Sequence, residues 1–462
     1  MNRYLLTFTM GACTLLLAAQ THAQLTITDA GRFDFTDTSG SGARELSGIA
    51  YTGSSSYYAV GDKDRLLQTL SISHDSTTGA ITTASINPSP ILMDFPYPIG
   101  GPDHEAIAVQ GSNILLVSEN GPELESIDPI TGLPTGPLNI INFPSISSVY
   151  NLGSRPNRSL ESLTVYPANT STFLTANEDA LTLDGPTASF TAGAVVRIQA
   201  ASFDTTNSSA SAIGQFAYPI DAINGDIPLA SGEQSGLVEL LTLPDNTVIA
   251  MERAVGATGY RIRLYEIHGD SATDVSGFSQ LSVATPGVDY TPLSKTLLWE
   301  NTFSVLTNSN FEGITLGPTL TGGEQSLILV ADNASGPVLP FVGQQWTAED
   351  QSLYSLHIKD INPACSGPNG CLAADLSQDG FVGIADLNII LARWNQVVFP
   401  GSAADPSVDG FVGIDDLNVV LGNWNAGTPP TGLATIPEPA SAAVLGLLSI
   451  VLAKRTPATR HR

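Results

Sequence analysis

Carboxylates recur at matching places in five stretches of the chain. Each stretch reads as a short strand, a turn and a second apolar strand that ends in an acid. The opening positions carry Ser47, Glu105, Glu161, Glu239 and Glu312, and the closing positions carry Asp62, Glu119, Glu178, Glu252 and Asp332. Carboxylates gathered at one place can bind a divalent cation, or can act as a general acid and base if their pKa values are pushed apart.

Repeated strand pairs of this kind are typical of β-propeller blades. The opening residues lie 58, 56, 78 and 73 residues apart, which fits blades with inserted loops. A diverged copy in the long gap between 161 and 239 would make about six blades. Equivalent positions of the blades converge on one axis, so we expect the acids to form a ring at one mouth of the central channel. The alternative for each single acid is a structural hydrogen bond between blades.

The candidate catalytic residues of this ring are Glu105 and Glu161, with His104 and Arg158 near them in sequence. The candidate metal ligands in the same domain are Glu119, Glu178, Glu312 and Asp332. Arginine suits paired contacts with phosphate, and the candidates for that role are Arg155, Arg158, Arg253 and Arg261. The chain has no G-x-S-x-G, H-E-x-x-H or R-H-G motif. Phosphoester chemistry would therefore rest on metal ions that hold the phosphate and activate water.

A second constellation is a pair of twelve-residue loops repeated 30 residues apart, beginning "DLSQDGFVGIAD" and "DPSVDGFVGIDD". Oxygen-bearing residues stand at positions 1, 3, 5 and 12, glycine stands at position 6, and position 7 offers its carbonyl. This is the arrangement of an EF-hand calcium loop, with Asp at position 12 in place of the usual Glu. The predicted calcium ligands are Asp375, Ser377, Asp379, Phe381 and Asp386 in the first loop, and Asp405, Ser407, Asp409, Phe411 and Asp416 in the second.

One helix is predicted after each loop. Leu387, Ile390, Leu391 and Trp394 follow the helical period and predict one apolar face, which the second copy repeats. A duplicated loop and helix resembles the dockerin module of cellulosomal enzymes. The resemblance implies calcium binding and a cohesin-like protein partner. Positions 10 and 11 of the loops differ from many such dockerins, so a calcium-stiffened spacer stays as the alternative.

Composition and the chain ends bear on location. The 462 residues carry 44 acids and 18 Lys and Arg, and this balance disfavours nucleic acid as a partner.

Residues 1–23 have the charge and apolar pattern of a secretory signal. Cys365 and Cys371 could form a disulfide in an oxidising compartment or remain two free thiols. Pro437-Glu438-Pro439, an apolar run and a basic tail resemble the PEP-CTERM sorting signal, which implies transient membrane contact, exosortase processing and delivery to the cell surface or extracellular matrix. The alternative is a plain C-terminal membrane anchor.

The large domain resembles the phytase-like family, also called the esterase-like activity of phytase family. The phrases that carry the resemblance are "ELSGIAY", "HEAIAV", "RPNRSLESLTVYP", "GLVELLTLPDNTVIAMER" and "NFEGITLGP". It implies a secreted propeller hydrolase that acts on esters or phosphoesters with the help of calcium. The alternative function is a non-catalytic, calcium-binding surface scaffold or adhesion protein.

These patterns predict a mainly β chain with a small all-α module. We expect a signal peptide (1–23), a propeller (24–360), a linker (361–374), a dockerin-like module (375–427) and a sorting segment (428–462).

Overall fold

The computed structural model describes residues 25–93, 102–120, 123–137, 153–204, 209–223, 234–256, 259–304, 306–333, 346–347, 349–359 and 374–429. The predicted signal peptide, both cysteines of the linker and the sorting segment from residue 430 onward lie outside these residues. Within them, no helix is both long and apolar enough to cross a membrane.

The fold is a β-propeller. Its described strands form five antiparallel sheets of four strands each, one of which carries an extra short strand, and each sheet is a blade. Numbered by their innermost strand, blade 1 has β2 (Leu46–Gly53), β3 (Ser56–Gly61), β4 (Leu66–His74), β5 (Ile81–Ile86) and the short β6 (Ile91–Leu92); blade 2 has β7 (His104–Gln110), β8 (Asn113–Ser118), β9 (Glu123–Ile127) and β10 (Pro134–Pro137); blade 3 has β11 (Leu160–Val165), β12 (Thr172–Asn177), β13 (Ala194–Asp204) and β14 (Ser209–Ile220). Blade 4 has β15 (Gln234–Thr242), β16 (Val248–Gly256), β17 (Gly259–His268) and β18 (Ser294–Ser304); blade 5 has β19 (Asn310–Thr319), β20 (Gln325–Asp332), β21 (Asp350–Lys359) and β1 (Thr26–Thr36).

Blade 5 closes the ring with strands from both ends of the domain. Its three inner strands come from the end of the domain, and β1 supplies the outermost strand. The pairing of β1 with β21 is antiparallel and runs from Thr26 opposite Lys359 to Thr36 opposite Asp350. Arg32 of β1 strengthens the closure, because its guanidinium donates to Ser352 and to the Asn308 carbonyl.

The predicted count of about six blades is wrong, since the described residues form five. The described residues of the long interval between the openings of blades 3 and 4 form no additional blade. The interval is filled by the long hairpin of β13 and β14 and by the connections on either side of that hairpin. Spacing alone cannot distinguish a diverged blade from a lengthened hairpin.

The innermost strands β2, β7, β11, β15 and β19 neighbour one another around the axis. Buried apolar side chains fill the space between adjacent blades, for example Leu115, Leu163 and Phe173 between blades 2 and 3. The inner strands approach closely, and a Cβ placed on Gly313 of β19 would lie 2.3 Å from the Ser47 carbonyl oxygen of β2. Glycine at this position therefore allows the ring to close tightly.

The predicted pair of helices is present after the propeller, as α1 (Ile384–Ala392) and α2 (Ile414–Gly422). Ile390 and Val420 are buried between them. Only part of the predicted apolar face is buried, because Leu391 is 52% exposed and Trp394 is 42% exposed. Two helices of nine residues have too little facing surface to cover the full apolar face.

The helical module is seated against blades 3 and 4, where it contacts the turn between β11 and β12 and Gly269 after β17. Phe399, between the two repeats, packs edge-on against Phe216 of β14, with ring centroids 5.3 Å apart. The Tyr166 hydroxyl donates to the Pro400 carbonyl at 2.8 Å, and Thr172 donates to the Val408 carbonyl at 2.7 Å. These contacts join the second loop of the module to the propeller.

Candidate functional site

The inner strands carry a β-bulge near the same end in every blade. In four of them the pairing with the next strand skips the opening residue: Ser47, Glu105, Glu161 or Glu312. A bulge bends a strand and re-aims the extra side chain. Four opening residues are therefore presented in the same structural setting, as the repeats predict.

The closing acids of these four blades lie beside the bulges in space. Asp62, Glu119 and Glu178 directly follow β3, β8 and β12, and Asp332 is the last residue of β20. The amide of Glu119 donates to the carbonyl of Asp103, and the amide of Glu178 donates to that of Ser159. Each closing acid thus stands beside the strand start that holds the opening residue of its own blade.

Blade 4 departs from the pattern, and two predicted assignments there are wrong. The skipped residue is Val238, not Glu239, and the residue that matches the closing acids in register is Arg253, not Glu252. The offset is visible in the sequence: Pro167, Pro244 and Pro318 each stand six residues after the bulge residue of their blade. Aligning on these prolines places Val238 with Glu161 and Glu312.

The two glutamates of blade 4, Glu239 and Glu252, make their hydrogen bonds away from the central cavity. Glu239 accepts hydrogen bonds from the amides of Leu163 and Leu240, which is the structural role between blades considered above. Glu252 accepts from the Tyr218 hydroxyl at 2.7 Å and pairs with Lys295. Neither side chain lines the central cavity.

The acids of the other blades converge on one cavity of about 330 Å³. Its charged lining consists of eight carboxylates and two cations: Glu45, Asp62, Glu105, Glu119, Glu161, Glu178, Glu312, Asp332, Lys63 and Arg253. Asn157, Val255, Tyr260 and Asn310 complete the lining. We call this cavity the acidic mouth.

Glu105 and Glu161 lie deep in the acidic mouth. They are 8% and 6% exposed, and neither carboxylate has a hydrogen bond or ion pair with a described residue. Burial raises the pKa of both well above the usual value for glutamate, and neighbouring carboxylates raise it further. Burial likewise raises the pKa of Glu119 to about 8, although the Ser159 amide that donates to it acts in the opposite direction.

Arg253 is the fixed cation of the mouth. Its guanidinium is buried, donates to Glu178 at 2.8 Å and bonds Glu312. Burial still raises the pKa of Glu178, while the Arg253 charge lowers it. Asn310 donates to both Glu312 and Asp332, which holds the two acids of blade 5 together.

Two groups of three carboxylates have the composition of a cation site; five of the six residues line the mouth, and the sixth, Asp103, is bonded to Lys63 of the lining. Oxygens of Asp62, Asp103 and Glu105 all lie within 4.8 Å of one another, and so do oxygens of Glu119, Glu161 and Glu178. We call these groups the first trio and the second trio. Oxygen-only ligands of this kind suit calcium and magnesium.

Several predicted residues lie outside the mouth. His104 is fully buried within its blade and faces Glu125, with Nε2 3.5 Å from Oε2. Arg158 pairs with Asp179 at 2.6 Å, and Arg155 donates to the carbonyls of Ala180 and Gly185. Arg261 donates to the Ile223 carbonyl. Of the four arginines predicted to contact phosphate, only Arg253 lines the cavity.

Sequence reasoning missed Asp103, Lys63 and Asn310. Asp103 and Lys63 directly neighbour His104 and Asp62, so adjacency to the repeated acids was a signal for both. Asn310 stands two residues before Glu312. A carboxylate does recur at the position of Asp103, as Glu45 in blade 1, whereas lysine and asparagine do not recur at the positions of Lys63 and Asn310.

The two loops of the helical module have matching internal bonds. Asp375 accepts from the amides of Asp379 and Gly380, and Asp405 accepts from those of Asp409 and Gly410, at 2.8–3.1 Å in both loops. The carboxylates of Asp386 and Asp416 likewise bond the amides of Ser377 and Ser407. Ser377, Phe381, Ser407 and Phe411 stand in these two loops, and their role as calcium ligands stays a prediction. Oxygens of Asp405, Asp409 and Asp416 lie within 4.8 Å of one another.

Solved structures with a similar chain path have distant sequences. The PQQ-bound aldose sugar dehydrogenase of Streptomyces coelicolor is 11% identical, with a TM-score of 0.30, over 73% of this chain and 99% of that one. A streptogramin B lyase is also 11% identical, with a TM-score of 0.26, over 71% of this chain and 97% of that one. These values carry no information about activity.

No curated protein matches this chain. The sequence does match the family described as phytase-like, esterase-like activity of phytase, over residues 41–334. That range contains four complete blades, the two inner strands of blade 5 and every residue of the acidic mouth. The chain therefore belongs to the phytase-like family.

Proposed function

We propose that this protein is a calcium-assisted hydrolase of phosphate or other esters and that the acidic mouth is its active site. The observation that carries the proposal is the pair Glu105 and Glu161, two buried carboxylates without partners among the described residues that face one cavity. Burying a carboxylate without a partner is costly. Such a cost is typical of sites that bind a ligand or perform proton transfer.

The trios are the groups that would hold calcium. Bound there, it would polarise the ester and lower the pKa of a water molecule. The chain itself supplies proton transfer, because burial keeps a proton on Glu105 and Glu161 at a pH where an exposed glutamate has lost it. A bound ion takes its carboxylate ligands in the ionised form, so a carboxyl whose trio holds no ion would donate this proton to the leaving oxygen and then accept one from water. Arg253 keeps Glu178 and Glu312 in place.

The test measures phosphate release from phytate and nitrophenol release from its phosphate and acetate esters. We would assay the full chain with calcium and with a chelator. Glu105→Gln and Glu161→Gln should abolish turnover. Glu239→Gln is the matched control, because it changes a buried inner-strand glutamate that lies outside the mouth. An absence of turnover on every ester, with calcium raising only the melting temperature, would overturn the enzyme proposal.

A second candidate function is a non-catalytic surface scaffold. Six apolar side chains at matching places in the two repeats are exposed: Ile384, Leu391, Trp394, Ile414, Leu421 and Trp424. Exposed apolar groups that cluster are typical of protein contacts, and a cohesin-like partner is the candidate occupant. In this case Leu391→Glu with Leu421→Glu would abolish partner binding and leave ester turnover unchanged.

We also propose that the chain is secreted and delivered to the cell surface or extracellular matrix, where calcium is available to both loops of the dockerin-like module. The sequence patterns at residues 1–23 and 428–462 support this. Cell fractionation of the intact chain, and of one in which Pro437 and Pro439 are changed to alanine, tests it. An unchanged distribution would refute the role of the sorting segment.

A further inference from the structure

We propose that the first trio, Asp62, Asp103 and Glu105, is a divalent-cation site that the Lys63 ammonium fills until an ion displaces it. The proposal deepens the proposed function, because it rests on the acidic mouth being the reaction site. The second trio has no such exchangeable cation. The two sites would therefore differ in how an ion enters and in what its entry does to the mouth.

Two independent observations indicate that the first trio accepts a cation. The Lys63 ammonium already lies there, bonded to Asp103 and 3.6 Å from Asp62. Glu105, the third member, is 8% exposed and has no hydrogen bond or ion pair with a described residue. Lysine thus forms ion pairs with two of the three carboxylates and none with Glu105, the deepest one.

Lys63 can leave, and Arg253 cannot. The Lys63 side chain is 60% exposed, so it can move into solvent by breaking its ion pairs with Asp62 and Asp103. The Arg253 side chain is 7% exposed and is held by Glu178 and Glu312 at once. Lysine is a flexible point charge, whereas arginine in a forked contact is held in a fixed orientation. An ion at the second trio must therefore bind beside Arg253, while an ion at the first trio replaces Lys63.

Displacement gives Lys63 a second role. Once an ion binds Asp62 and Asp103, the ammonium is released at the edge of a cavity whose remaining cation is tied to two glutamates. Of the two cations that line the mouth, Lys63 is then the one free to contact a negatively charged substrate. The inferred substrate class is an anionic ester, such as a phosphomonoester, that bridges the ion and the ammonium.

Calcium titration of the full chain by calorimetry tests the proposal, with Lys63→Met as the main variant. Lys359→Met is the matched control, because Lys359 is also 60% exposed and pairs with one acid, Glu324, away from the mouth. We expect calcium to bind one site about fivefold more tightly in Lys63→Met, which is the effect of removing a competing exposed ion pair. Lys359→Met should leave every affinity unchanged.

Glu105→Gln and Glu161→Gln identify the sites. Each should lose one calcium relative to the wild type, and Lys63→Met should no longer raise an affinity in the Glu105→Gln background. The loops of the helical module contribute equally to all variants and cancel in the comparison. Circular dichroism reports whether each variant is folded.

Equal calcium affinities in Lys63→Met and Lys359→Met would overturn the proposal, as would an unchanged calcium count in Glu105→Gln. These outcomes are independent of turnover. Calcium bound as described, with no ester hydrolysed, would refute the proposed function and leave the cation site standing. Hydrolysis by a chain that loses no calcium in Glu105→Gln would do the reverse.

Discussion

Replacing Arg253 by methionine is expected to destabilise the propeller strongly and in a manner that depends on pH. The change removes the buried partner of Glu178 and Glu312 and keeps a long apolar side chain. Removing one member of a buried ion pair typically costs about 3–5 kcal/mol, because the other charge is left unpaired. At low pH the two glutamates can take up protons, so we expect the cost to shrink there.

The assay is urea unfolding in the presence of a chelator at pH 8 and at pH 5. Arg158→Met is the comparison, since the Arg158 side chain is 19% exposed and pairs with one acid, Asp179, which also accepts hydrogen bonds from the amides of Ala180 and Ala188. We expect that variant to lose about 1–3 kcal/mol, because Asp179 keeps these two hydrogen bonds when its ion pair is removed. Calcium should restore much of the stability of Arg253→Met, because Glu178 becomes free to bind it. If Arg253→Met unfolds at the same urea concentration as the wild type at pH 8, Arg253 is not the counter-ion of the mouth.

Three further outcomes are expected. First, burial raises the pKa of Glu119 from 4.5 to about 8, so the folded chain keeps a proton that the unfolded chain loses. Without calcium, the free energy of unfolding should therefore fall as the pH rises from about 4.5 to about 8. A free energy of unfolding that stays constant over this range would contradict the prediction. Second, Phe399→Ala should cost about 3–5 kcal/mol by removing a buried ring, and calorimetry should then resolve separate transitions for propeller and helical module; one unchanged transition would refute the docking role. Third, Gly313→Ala should lower stability and turnover together, because its Cβ would lie 2.3 Å from the Ser47 carbonyl oxygen; unchanged turnover would show that the inner strands tolerate separation.

The fold class and most of the acidic mouth follow from the sequence. The blades share a repeated strand–turn–strand sequence pattern, and equivalent positions of the blades meet at the axis. Glu105, Glu161 and Glu312 could therefore be placed together from the sequence alone. The number of blades could not, because a gap between phrases can be filled by a long hairpin.

Blade 4 shows why residue type is a weaker guide than register. In blade 4 a glutamate lies one residue away from the opening position and another lies one residue away from the closing position. A shift of one residue turns a strand side chain to the opposite face. Glu239 and Glu252 were therefore assigned to the mouth, whereas Val238 and Arg253 occupy its positions. Arg253 is a cation at the closing position, where the other four blades carry an acid. A search for repeated acids could therefore not find it.

The closure of blade 5 by β1 determines when the protein can acquire its chemistry. Arg32 and Ser352, which hydrogen-bond across this closure, are 320 residues apart in the chain. Contacts of such long range form late, because the entropy of closing the intervening loop must be overcome first. The acidic mouth contains acids from both blades that meet where the ring closes: Glu312 and Asp332 in blade 5, and Asp62 in blade 1. A chain that is still being synthesised would therefore hold the acids of blades 1 and 5 apart, and the complete mouth would form only when β21 arrives and the circle closes.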